Sequence, residues 1–132
     1  MINLATKRVS ETSKLQLKDA DGVDMAGAFV VVYGRGSKQY REFEAQKQSA
    51  MLEQMASSQD GKVKMTAAQL NAQKIDRLVA CTADFIGVEL EGLKGQELSR
   101  AIYSDPALGY IADQVSDHMD KWSNFMQALP AA

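Results

Sequence analysis

Ala28-Phe29-Val30-Val31-Val32-Tyr33-Gly34-Arg35-Gly36-Ser37-Lys38 decides the fold. Its first six residues are small, β-branched or aromatic, which suits a pleated and half-buried surface, and Gly34 ends the run. Ser37 follows as an N-cap, its hydroxyl placed to accept from free amides in the first turn of a helix running from Lys38 to about Ala56. A strand therefore hands over to a long helix through a turn with two glycines, and the chain must mix both kinds of structure.

On the N-terminal side, Lys14-Leu15-Gln16-Leu17-Lys18 alternates polar and apolar residues, placing Leu15 and Leu17 on one strand face. Asp19-Ala20-Asp21-Gly22 supplies turn chemistry: aspartates that bond local backbone and a glycine that accepts positive φ. The two strands predict a hairpin over about 14–33, which needs a helix on its apolar face to be stable. A calcium loop is a poor reading of Asp19 to Asp24, because the glycine falls fourth rather than sixth and the twelfth position is Val30 rather than Glu. Residues 1–12 show no period and are expected to form a loose arm or an edge segment.

On the C-terminal side, Tyr40, Phe43, Lys47, Ala50, Met51 and Gln54 recur at helical spacing, a narrow stripe on the 38–56 helix. Ser57 to Lys62 reads as a linker. Thr66 and Gln69 fit a capping box, opening a helix over about 66–84. Leu70, Ile75, Leu78, Val79, Thr82 and Ile86 then form an apparent buried stripe. Phe85 to Gly92 is either a short edge strand or an extended connector, and a brief helix spans about 96–103. Asp105-Pro106 starts a final helix, expected over about 106–129 and ended by Pro130. Its ridge would run Leu108, Ile111, Val115, Met119, Trp122, Phe125, Met126, Leu129, spanning about 35 Å. The expected fold is α+β, mainly α: an N-terminal β-hairpin packed on a bundle of three to four helices with a long C-terminal helix. Residues 13–130 would make one globular domain.

Whole-chain properties narrow the function. With 132 residues, 45% hydrophobic and 24% charged, the chain has the make-up of one ordinary folded domain. A net charge of −2 and a pI near 5.4 lack the basic footprint of a nucleic-acid binder, so no nucleic acid is expected. Apolar runs fall short of the roughly 20 residues that cross a bilayer, and the start lacks a signal-peptide core, so no membrane is expected and the protein should stay where it is made. Cys81 has no second cysteine to pair with and reads as a reduced structural residue.

Chemistry finds little purchase. Gly34 to Lys38 lies where backbone amides can cradle phosphate, with Arg35, Ser37 and Lys38 as the anion-binding candidates. Neither the Walker nor the dinucleotide spacing is present, and a tight strand-to-helix turn is the preferred explanation of the glycines. His118 is the single histidine and sits between Asp117 and Asp120, as on a solvated helix face. No catalytic residue, cofactor or metal is therefore expected. The seven methionines carry more weight, because an unbranched thioether adapts to irregular surfaces. Met51, Met55 and Met126, with Trp122, Phe125 and Leu129, are the candidate protein-binding residues; Met51 and Met119 suit a core equally.

A family likeness runs through several segments in order. These are Val31-Val32-Tyr33-Gly34-Arg35-Gly36-Ser37-Lys38-Gln39, Cys81-Thr82-Ala83-Asp84-Phe85, Glu91-Gly92-Leu93, Tyr103-Ser104-Asp105-Pro106-Ala107-Leu108-Gly109-Tyr110-Ile111-Ala112-Asp113-Gln114-Val115 and Trp122-Ser123-Asn124-Phe125. From about Leu15 to Phe125 the chain resembles the tail assembly chaperones of long-tailed bacteriophages. The resemblance implies a protein of the infected host's cytoplasm, absent from the mature virion, that coats the tape measure protein and recruits tail tube subunits. It also implies, in many such families, a longer form made by ribosomal frameshifting. A homo-oligomer is left open, since a second copy could satisfy the same ridge. The alternative is a structural tail or head-tail connector component; a small enzyme built on His118 or Arg35 is a third.

Overall fold

The computed structural model describes residues 1–58 and 65–126. Among them the strands are β1 (Thr12–Lys18), β2 (Asp24–Tyr33) and β3 (Thr82–Ile86), and the helices α1 (Lys38–Ser57), α2 (Ala67–Ala80), α3 (Gly95–Ser104) and α4 (Gly109–Met119). The architecture is mixed α+β and mainly helical, with an antiparallel sheet in the order β1-β2-β3.

The hairpin forms where the turn chemistry placed it. Asp19 Oδ1 accepts from the amides of Asp21 and Val23 at 2.9 and 3.0 Å, and Gly22 takes a φ of +83°. Leu15 lies opposite Val30, so the apolar alternation of both strands faces one side. A bulge between Gln16 and Lys18 breaks the ladder, and the Gln16 side-chain amide donates to the carbonyls of Leu17, Met25 and Ala28. At the outer edge of β1, Gln114 of α4 donates to the Lys18 carbonyl and accepts from its amide. Its amide thus stands in for a neighbouring strand and blunts an exposed edge.

The core lies between the sheet and α2, α3 and α4. Leu17, Val30, Val32 and Phe85 from the strands meet Leu78, Val79, Leu98, Ile102, Tyr103, Ile111, Val115 and Met119 from the helices. Each large apolar side chain fully buried there contributes about 1.5–3 kcal/mol relative to exposure. Cys81 is fully buried where α2 ends, and burial pushes its thiol up to about 11, so it stays protonated at neutral pH. The caps agree with the sequence: Ser37 Oγ accepts from the Tyr40 amide, Thr66 and Gln69 form a reciprocal box, and Asp105 accepts from the Ala107 amide.

Three expectations need correction. The helix expected over 66–84 stops at Ala80, and Thr82–Ile86 becomes β3, pairing with the free edge of β2. Thr82 Oγ1 bonds the Leu78 carbonyl at 2.7 Å and lies 2.6 Å from the Tyr103 hydroxyl, fixing the turn between the two elements. Ile86 consequently lies on the outer face of the sheet, exposed, rather than in a helical stripe. The segment after it is a connector, not a strand.

The long C-terminal helix is the second correction. After a 3-10 turn at Pro106–Leu108, α4 ends at Met119 and the chain bends through Asp120 and Lys121 into another 3-10 turn, Trp122–Phe125. The Asn124 side-chain amide donates to the His118 carbonyl, a group that a continuing helix would have used itself. Leu129 and Pro130 lie outside the described residues, as do Gln59 to Lys62 of the expected linker. The third concerns the first twelve residues. Leu4–Lys7 form a 3-10 turn capped by Asn3, Val9 bridges to Met126, and the Ser10 amide donates to the Phe125 carbonyl at 2.6 Å. The segment leading into β1 is therefore tied to the C-terminal turn.

Candidate protein-binding face

Helix α1 is the odd element of the fold. Its 20 residues span about 30 Å, yet none is buried. Tyr40, Phe43, Glu44 and Lys47 in its first half are partly covered, whereas every residue from Gln48 to Ser57 is exposed. The opening turns of α2, from Thr66 to Ala72, are exposed as well. Met51, Leu52 and Met55 stand exposed along the distal half of α1, with Leu52 65% exposed. Such a bare helix gains little from tertiary burial, which is where most helical stability originates.

Between the two helices lies a cleft of about 590 Å³. Tyr40 and Phe43 of α1 and Leu70 of α2 supply apolar surface, and Leu70 is 53% exposed. At the base, Arg77 lies 5.4 Å from the Tyr40 ring, donates to its hydroxyl at 3.4 Å and forms an ion pair with Asp120. Burial alone would lower the Arg77 pKa, but the Tyr40 hydrogen bond and the Asp120 charge outweigh it and hold the guanidinium above its ordinary value. A second cleft shares Arg35, Tyr40 and Glu44 and reaches Trp122, whose ring lies 5.5 Å below the Arg35 guanidinium.

The expected binding residues divide. Trp122 is 48% exposed, and Met51, Met55 and Met126 are also exposed. Trp122 sits beside the first half of α1 while Met51 and Met55 lie on its distal half, so one helix links them; Met126 stands apart, bridged to Val9. Phe125 is a correction: it is 2% exposed and packs under Gly34, where an added Cβ would lie 2.8 Å from the ring. It is a core residue. Met119 is core too, at 0%.

The sequence reading missed Leu52, Lys74 and Arg77, and took Leu70 for a buried residue. A signal was present: Tyr40, Phe43, Lys47 and Met51 share a helical face on which a lysine interrupts the apolar side chains, unusual for a core stripe.

Ser37, Lys38 and His118 make hydrogen bonds within the fold. Ser37 is fully buried, its hydroxyl donating to the Gly34 carbonyl at 2.6 Å, and the Glu11 carboxylate accepts from the Lys38 amide. The α1 terminus thus already carries an anion from its own chain, and Arg35 turns toward Trp122. His118 is half-buried rather than solvated, its Nε2 lying 2.8 Å from Ser13 Oγ, which lies 2.8 Å from the Asn124 carbonyl. That carbonyl can only accept, so both contacts are satisfied when Ser13 donates to it and His118 Nε2–H donates to Ser13. In that state the imidazole has no lone pair directed at the hydroxyl to make it a nucleophile. Among the described residues no group of three His, Cys, Asp or Glu side chains could hold a metal ion, and no helix is long and apolar enough to cross a membrane.

No protein-family model, curated protein or solved structure matches this chain.

Proposed function

We propose that the protein is a tail assembly chaperone of a long-tailed bacteriophage, acting by reversible binding and without bond chemistry. It would hold the tape measure protein in the host cytoplasm and help bring tail tube subunits to it, leaving before the virion is complete. The observation that carries this reading is the arm formed by α1 and the opening turns of α2, where no residue is buried and the apolar side chains Met51, Leu52, Met55 and Leu70 are exposed. Exposed apolar surface on a folded protein marks an interaction site, and adaptable methionines suit a long partner with varied side chains. The ordered likeness from Leu15 to Phe125 supplies the identity of the partner.

Co-expression with tape measure fragments tests this. A soluble complex, with fragments that aggregate when expressed alone, is the expected result; aggregation unchanged by the protein contradicts it. A structural tail or connector component is the competing reading. It predicts a stoichiometric presence in finished particles, which mass spectrometry of purified virions would reveal, whereas a chaperone is absent from them.

A further inference from the structure

The cleft between α1 and α2 has a charge that the chain as a whole does not. Arg35, Lys47, Lys74 and Arg77 line it against two carboxylates, Glu44 and Asp120, in a protein of net charge −2. Asp120 is taken up by Arg77, and Lys74 lies 3.5 Å from Asp113. Among the described residues, Arg35 and Lys47 have no carboxylate within ion-pair distance. Apolar surface thus lies between cations that remain to be matched.

We infer that this cleft seats an amphipathic helix of the partner, with an apolar stripe flanked by Asp or Glu. The inference rests on the chaperone reading and names the chemistry of its ligand. Apolar anchors of the incoming helix would meet Tyr40, Phe43 and Leu70, while its acids would meet Lys47 directly and Lys74 by displacing Asp113 from an exposed and therefore weak ion pair. The same lysines repel a helix with basic flanks, so charge selects among apolar helices. A second copy of the chain is a poorer occupant. The exposed apolar stretch of α1, Met51 to Met55, has one acid, Glu53, and its helix also carries Lys47.

The test uses two fluorescent, end-blocked helical peptides of about 20 residues. They share one leucine stripe and differ only in having Glu or Lys on both flanks. Fluorescence anisotropy with the intact protein should show the Glu peptide binding at least about tenfold more tightly than the Lys peptide, the preference shrinking as salt rises. The Lys47→Glu/Lys74→Glu variant should reverse the preference while keeping the wild-type circular dichroism spectrum. Equal affinities, a preference for the Lys peptide, no binding of either peptide, or a preference unmoved by the double variant overturns the assignment of this cleft. Self-association of the protein through the cleft, abolished by the same variant, overturns it as well. Tape measure fragments run in parallel separate the two levels: if they bind and the peptide preference fails, only the cleft assignment falls; if they do not bind, the chaperone reading falls.

Discussion

The Nε2 atom of His118 lies 2.8 Å from the hydroxyl of Ser13, joining the end of α4 to the start of β1 across 105 residues of sequence. The same hydroxyl reaches the Asn124 carbonyl, and the His118 ring stands 5.8 Å from that of Phe125. This joint sets the direction in which the chain leaves α4.

Stability should therefore respond to His118. Its pKa is lowered in the folded protein, first by burial and then by Lys121. The unfolded chain binds the proton more readily, so stability is full above the unfolded value of about 6.5 and declines as pH falls below it. Urea denaturation from pH 8 down to pH 5 should show a falling midpoint, and His118→Gln should flatten that part of the profile. A wild-type midpoint that rises toward pH 5 contradicts the assignment.

Trp122 and Phe125, three positions apart, should behave oppositely. Phe125→Ala empties a core site beneath Gly34 and should cost about 3–5 kcal/mol in chemical denaturation. Trp122→Ala removes a half-exposed ring and should cost under about 1 kcal/mol, yet weaken partner binding by about 2 kcal/mol, roughly thirtyfold. Comparable stability losses would return Trp122 to the core.

Ser37→Ala should destabilise the protein by about 1–2 kcal/mol. The change removes both the acceptor for the Tyr40 amide and the donor to the Gly34 carbonyl at a fully buried position. Ser37→Gly should cost less at the cap than Ser37→Ala, as glycine accepts N-cap geometry.

Gly87→Ala should be among the most damaging small substitutions. Gly87 has a φ of +68°, and an added Cβ would collide with the Gly27 carbonyl oxygen, backbone that cannot swing aside. A loss on the order of 1–3 kcal/mol is expected from the backbone conformation alone, with the clash adding to it. Thermal unfolding beside Gly92→Ala, whose φ is also positive but whose Cβ would meet open space, isolates the contribution of the clash.

Local chemistry was legible in the sequence where the signal lay within a few residues. The Asp19 turn, the Ser37 cap and the Thr66–Gln69 box read correctly because each is a side chain bonding its own neighbourhood, whereas Asp105-Pro106 opens a 3-10 turn ahead of α4 rather than the helix itself. The two misread elements were decided by distant partners. Leu78, Val79, Thr82 and Ile86 fit a helical period, but the open edge of β2 draws Thr82–Ile86 into the sheet, and no Gly or Pro marks the switch. Nor does any breaker mark the bend at Asp120, which is fixed by Arg77 of α2 and by Asn124. The interface reading shared that fault: on a continuous helix Trp122 and Phe125 would share a ridge, whereas the bend exposes one and buries the other.

The central claim is that the α1–α2 arm grips a helical partner, and calorimetric titration with a tape measure fragment tests it most directly. Met51→Gln/Leu52→Gln/Met55→Gln removes the exposed apolar surface of α1 while keeping good helix formers. Wild-type protein should bind the fragment, and the triple variant should bind at least about tenfold more weakly with unchanged thermal stability. Undiminished binding by a folded triple variant would contradict the account.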